Sequence, residues 1–201
     1  MEYFVYCRDR PGAESLRTEL TEAHWSYMDG YADAMIARGP TLTADRTSAT
    51  GSMHIVDLPD PQAAQAFAFQ EPNYAAGVYD DVLIRRWRNV LGRTMWDFVG
   101  DPAGLPRFLI VNHAAPGVSA RHDALLDEHR HYLSEHAEQF IVRGPLLSDD
   151  GAEWQGSAML VEMRDRASVE EFVAGEPFAR AGLFGDMQIH NWQFGGRPAT
   201  E

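Results

Sequence analysis

Apolar positions along the chain change period in a fixed order. Tyr3 to Cys7 is a β-prone run that ends in Arg-Asp-Arg-Pro-Gly, which predicts a strand and a loop. Leu16, Leu20, His24, Tyr27, Met28, Tyr31, Ala34 and Met35 follow at helical spacing. Gly39-Pro40 reads as the stop of that helix. A short strand is predicted near Thr41 to Thr43 and an alternating one from Gly51 to Leu58. Pro61 to Phe69 is a helix with proline in its first turn. Pro72 to Gly77 adds a helical turn, and Val82 to Arg88 is the last strand. The order is β-α-β-β-α-β, the split βαβ or ferredoxin-like pattern.

The pattern then recurs. When the chain slides along itself until His24 meets His129, Arg38-Gly39-Pro40 falls on Arg143-Gly144-Pro145. In the same register Gly51-Ser52 falls on Gly156-Ser157, Glu71-Pro72 on Glu176-Pro177, and Trp87 on Trp192. No gap is needed from Tyr3 to Asn89, and roughly a quarter of the aligned positions are identical. The second copy predicts strands at Phe108 to Asn112, Leu146 to Ser148, Gly156 to Met163 and Met187 to Gln193, with helices at Ala120 to Val142 and Ser168 to Ala174. The division is residues 1–89, a linker at 90–105, and residues 106–195. Met95, Trp96, Phe98 and Val99 make the linker too apolar to hang free, so it should lie against a module. Two helices cover only one face of each sheet, and the strands are apolar on both. The expected fold is therefore α+β, with two ferredoxin-like modules packed sheet to sheet as an intramolecular pseudo-dimer.

Composition narrows the partners. A net charge of −13 over 201 residues argues against nucleic acid and anionic membranes. No apolar stretch approaches the ~18 residues of a membrane span. The N-terminal apolar run is broken by Arg8, Asp9 and Arg10 and is not a signal peptide. Cys7 is the single cysteine, which excludes an intramolecular disulfide and fits a reducing cytoplasm. The pseudo-dimer is compatible with a further homodimer.

His24 is the sharpest chemical candidate. It lies on the apolar stripe of the first helix, where an imidazole, titrating near neutrality, can act as a general base. Asp9, just after the first strand, is the expected hydrogen-bond partner that fixes its tautomer. Ser52 and Arg17 are expected to hold substrate oxygens and an anionic group, and Tyr27 to line the pocket. His129 and Ser157 are the second-module equivalents, but Ala114 stands where Asp9 would and His122 where Arg17 would. The competing reading is a packed core histidine. Glu71 and Glu176 read first as helix starts, with a catalytic role the alternative. Cys7 reads as packing rather than as a nucleophile. Among the eight histidines, His129 with His131 and His129 with His136 have no chelating spacing, so no metal is expected. No dinucleotide or phosphate-loop fingerprint occurs, and no organic cofactor is expected.

Asp9-Arg-Pro-Gly, Arg17, His24 with Tyr27, Gly39-Pro40, Gly51-Ser52, Glu71-Pro72 and Ala76-Gly-Val-Tyr79 together resemble the YciI-like (YCII-related) family. The resemblance covers nearly the whole of each module. It implies a ferredoxin-like fold paired through its sheets into an α/β barrel, as in muconolactone isomerase-like proteins. It also implies a site around the helix histidine and an aspartate. Most of that family has no assigned reaction, and one branch eliminates chloride from a hydroxylated chloroaromatic ring. The family's Asp-Pro is replaced here by Glu71-Pro72 and Glu176-Pro177. The function this implies is proton transfer by a His-Asp dyad, without cofactor, on a small cyclic or aromatic oxygenated substrate, as in isomerases and lyases. The rival is a small-ligand-binding or sensing protein that uses the same cleft.

Overall fold

The computed structural model describes residues 1–197. The first module runs β1 (Glu2–Asp9), α1 (Glu14–Glu19), α2 (Thr21–Asp29), β2 (Met35–Leu42), β3 (Ala49–Asp57), α3 (Pro61–Phe69), α4 (Pro72–Ala75) and β4 (Tyr79–Trp87). The second runs β5 (Arg107–Ala114), α5 (Ser119–Glu135), β6 (Phe140–Leu147), β7 (Trp154–Glu162), α6 (Arg166–Gly175), α7 (Pro177–Arg180) and β8 (Phe184–Trp192). The eight strands close into one antiparallel barrel in the order β1-β3-β2-β8-β5-β7-β6-β4. Two short seams join the halves: Thr41 and Leu42 pair with Trp192 and Asn191, and Arg86 and Trp87 pair with Leu147 and Leu146.

The barrel core draws on both halves. Phe4, Met53 and Ile55 meet Leu109, Val111 and Leu160 there, with Trp87 and Trp192 buried among them. The opposite faces of the sheets pack under the helices. Val5, Val56 and Phe67 do so in the first module, and Phe108, Val161 and Phe172 in the second.

Three expectations need correction. Gly39-Pro40 and Gly144-Pro145 are not helix stops; they lie inside β2 and β6. A Cβ on Gly39 would stand 2.0 Å from the Gln193 carbonyl oxygen and 2.9 Å from the Trp192 ring. One on Gly144 would stand 1.9 Å from the Arg88 oxygen and 2.7 Å from the Trp87 ring. Each glycine therefore lets the opposite module's last strand cross the seam. The first helix is also shorter than its apolar stripe. It breaks at Leu20, where Thr18 and Thr21 hydroxyls bond back to the Glu14 and Arg17 carbonyls, a pattern that bends helices. The corresponding α5 has Asp123 and Leu126 at those positions and runs unbroken. Finally, only part of the connector packs. Met95 is buried in the barrel core and Phe98 lies against it, whereas Trp96 and Val99 are exposed.

Candidate active site

Asp9 ends β1 just past a register shift and pairs there with Tyr79 of β4. Its Oδ1 accepts from Arg17 Nη1 of α1 at 2.8 Å, with both side chains largely buried. Burial raises the Asp9 pKa above the usual carboxylate value, and the Arg17 guanidinium opposes that shift. The other arm of Arg17 donates to Ser52 Oγ at 2.8 Å and to the Gly51 carbonyl at 3.3 Å. Ser52 also accepts from the Tyr79 hydroxyl at 3.0 Å, and Tyr79 in turn accepts from Asn73. One polar chain thus runs from α4 through β4 and β3 to α1 and β1.

His24, on α2, stands apart from Asp9. Its Nδ1 lies 2.5 Å from Glu71 Oε1. Glu71 is 2% exposed, and its Oε2 caps α4 by accepting from the Tyr74 N–H at 3.0 Å. Asp9 is committed to a guanidinium that never loses its charge, so the carboxylate that orients His24 is Glu71. No hydrogen bond joins Asp9 to His24 among the described residues.

These groups face a cavity of about 180 Å³ whose lining includes Arg17, His24, Arg38, Ser52 and His54. Among the described residues no aspartate or glutamate lines it. Arg38 Nε and His54 Nδ1 are buried there without hydrogen-bond partners among the described residues. Burial holds the His54 pKa well below the ordinary histidine value, and the nearby His24, Arg17 and Arg38 charges push the same way. His54 is therefore neutral, with its ring centroid 5.8 Å from that of His24. Gly195 and Gly196, beyond β8, complete the lining, where the Gly195 N–H donates to the Arg38 carbonyl.

The second module repeats the central pair. His129 Nδ1 lies 2.5 Å from Glu176 Oε1, and Glu176 Oε2 accepts from the Ala179 N–H. Its cavity is larger, about 560 Å³, and is closed in the same way by Arg88, Asn89 and Val90 beyond β4. Val90 N–H donates to the Arg143 carbonyl. Each pocket thus borrows the segment that leaves the other module's last strand. Ser157 lines the second pocket but, among the described residues, accepts only from Asn112, at 3.3 Å, because no arginine stands at His122 and Phe184 replaces Tyr79.

His24, Arg17 and Ser52 meet at one cavity, and His129 and Ser157 at the other. Asp9 sits behind Arg17. Tyr27 is not among the cavity-lining residues; its hydroxyl turns to the Ala66 and Phe67 carbonyls of α3. Cys7 is buried, and burial drives its thiol pKa upward, against nucleophilic use. Sequence reasoning does not pair Glu71 with His24, although the spacing between histidine and glutamate, 47 residues, is the same in both modules. Arg38 and Arg143 stand in the repeated Arg-Gly-Pro, which reads as a helix stop and so hides them. His54 gives no repeat signal because Met159 stands opposite it.

Among the described residues no helix is long and apolar enough to cross a membrane. A protein called YciI from Escherichia coli O6:H1 is 29% identical over 97 residues, covering 45% of this chain and 99% of its own, so that relative is one module long. The 5-chloro-2-hydroxyhydroquinone dehydrochlorinase of Burkholderia phenoliruptrix AC1100, solved with 2,5-dihydroxybenzoquinone, aligns with 46% of this chain and 99% of its own at 27% identity and a TM-score of 0.44. A mutant chlorite dismutase from Candidatus Nitrospira defluvii superposes over 96% of this chain and 91% of its own with a TM-score of 0.62 and 9% identity, a likeness of fold alone. With its two halves matched separately, over residues 1–88 and 107–193, the chain belongs to the YCII-related domain family and carries that domain twice.

Proposed function

We propose that the first module is an acid–base catalyst without organic cofactor, in which His24 moves a proton on a compact, oxygenated, anionic substrate. The observation that carries this reading is the 2.5 Å contact between His24 Nδ1 and a buried glutamate beside a cavity lined by cationic groups. With Nδ1–H donated to Glu71, the lone pair of His24 lies on Nε2, which has no protein partner among the described residues. Nε2 takes a proton from a substrate carbon next to a carbonyl, and the carboxylate of Glu71 stabilises the resulting imidazolium. Arg38 and Arg17 favour the negative charge that develops on the substrate oxygen. Return of the proton to a different carbon completes an isomerisation. Departure of a leaving group with the bonding electrons completes an elimination. Neutral His54 is placed to share a hydrogen bond with the bound oxygen. Asp9 and Ser52 hold Arg17 in position, a supporting role in place of the direct catalytic one their residue types first suggest.

Solvent deuterium exchange tests this on a panel of small enolisable carboxylates followed by proton NMR. The wild-type chain is expected to wash deuterium into at least one, and His24→Ala to slow that exchange by about 10²–10⁴-fold. Exchange that is unchanged in His24→Ala removes the catalytic reading. A ligand that binds but never exchanges assigns the cleft to the rival role, binding without chemistry.

A further inference from the structure

We infer that the second module carries a different binding site, one for a flat aromatic ring bearing a single anionic group. The two pockets occupy equivalent places but have diverged in one consistent direction. Where the first is lined by Thr21, Ala49, His54 and Asn73, the second has Leu126, Trp154, Met159 and Phe178. These four exchanges replace polar or small groups with apolar bulk, yet the second cavity is about 560 Å³ against about 180 Å³. The added side chains therefore form walls around open space. Two of those walls are aromatic planes already set by stacking. His129 lies on Phe178 with centroids 4.0 Å apart and an interplanar angle of 6°, and His122 lies on Trp154 at 4.4 Å and 27°. Phe178 is itself buried beneath His129, so the half-buried Trp154, His122 and His129 rings are the surfaces that favour another π-system at stacking distance.

Charge supplies the second half of the specification. In a chain of net charge −13, this cavity is lined by Arg88, Arg130 and Arg143 and, among the described residues, by no aspartate or glutamate. Arg143 Nε is buried and has no hydrogen-bond partner among the described residues, and burial works against its charge. An anionic oxygen on the ligand supplies the missing acceptor and the missing counter-charge together. The ring and the anion have to belong to one molecule, since the same cavity offers both.

The inference does not rest on catalysis at His24. It is tested on the full chain by calorimetric titration with 1-naphthoate as the probe. One equivalent is expected to bind. Arg143→Met removes the anion contact and Phe178→Asn writes the first module's residue into the wall. Each is expected to weaken binding by about tenfold or more, while Arg38→Met in the other pocket leaves it within about twofold. Trp154 fluorescence is expected to respond to the probe, and Trp154→Phe to lose that response. A variant that fails to fold is recognised by loss of the barrel's circular dichroism, and Met159→His then gives an independent reading of the same wall. The inference is overturned by absence of saturable binding, by binding that survives Arg143→Met and Phe178→Asn, or by binding that Arg38→Met abolishes. None of these outcomes changes what deuterium exchange reports about His24.

Discussion

Replacing Glu71 by glutamine keeps the shape of the side chain and alters one atom, and the surroundings decide where that atom goes. Glu71 has two fixed neighbours: His24 Nδ1 at Oε1 and the Tyr74 N–H at Oε2. The Tyr74 N–H can only donate, so the amide oxygen of the substituted side chain must face it. The NH₂ group is then turned to His24, whose Nδ1 has to accept. The ring proton moves to Nε2, and the nitrogen facing the cavity becomes a donor instead of a base. Flipping the amide restores the base but opposes two donors at Tyr74, which leaves a buried N–H unsatisfied at a cost of about 1–3 kcal/mol. The productive form is therefore populated at roughly one part in ten to one in a hundred. The variant also lacks the negative charge that steadies the imidazolium. A serine-protease triad whose orienting carboxylate is made an amide loses about 10⁴ in rate for the same reason, which brackets the loss here at about 10²–10⁴. Nitrogen-15 NMR of the imidazole reads the cause without any substrate. Wild-type His24 is expected as the Nδ1–H tautomer and the Glu71→Gln chain as Nε2–H, with exchange slowed to match. An unchanged tautomer in Glu71→Gln, or exchange within about threefold of wild type, would refute the reasoning.

Two further predictions concern the barrel. Gly144→Ala lowers local chain entropy, which by itself favours the strand by about 0.5–1 kcal/mol. The new methyl would nevertheless stand 1.9 Å from the Arg88 carbonyl oxygen, backbone that cannot swing aside. Overpacking wins, at about 3 kcal/mol, and the urea midpoint should fall by roughly 1–1.5 M; an unchanged midpoint contradicts the seam geometry. His54 is held neutral by burial, and His190, in β8, is held down to about 4 by burial and nearby arginines. The unfolded chain takes up protons near pH ~6.5 that the folded barrel refuses, so stability is full above that pH and falls as pH drops toward about 4. Denaturant titrations across this window should show a shallower fall in His54→Met than in wild type, and equal slopes would remove the buried neutral imidazole.

How much of this is legible in the sequence varies with the range of the physics involved. α3 is matched to the residue, Pro61–Phe69, because its start is written locally: Asp60 accepts from the Ala63 N–H and Pro61 opens the first turn. The duplication and the packing of sheet on sheet follow from self-similarity and from strands apolar on both faces, and the barrel from the family resemblance. Gly39-Pro40 misleads because glycine and proline punctuate helices far more often than they mark a place where another strand crosses. That crossing is supplied by Trp192, distant in sequence. His24, Arg17 and Ser52 are legible as types of residue on predicted elements. Their partners are not, since which carboxylate reaches His24 depends on how α4 packs against α2. Asp9 and Glu71 both qualify by type, and Arg17 settles the matter by claiming the first.

The borrowed roof over each pocket has an evolutionary corollary. In an assembly of identical subunits, any substitution occurs twice, so both clefts must keep the same taste. Joining the copies end to end breaks that constraint while each cleft still needs a strand exit from its neighbour. Either half on its own would be roofless, yet within the fused gene natural selection can tune one cleft and leave its twin alone. The contrast between His54 and Met159 is the kind of mark such freedom leaves.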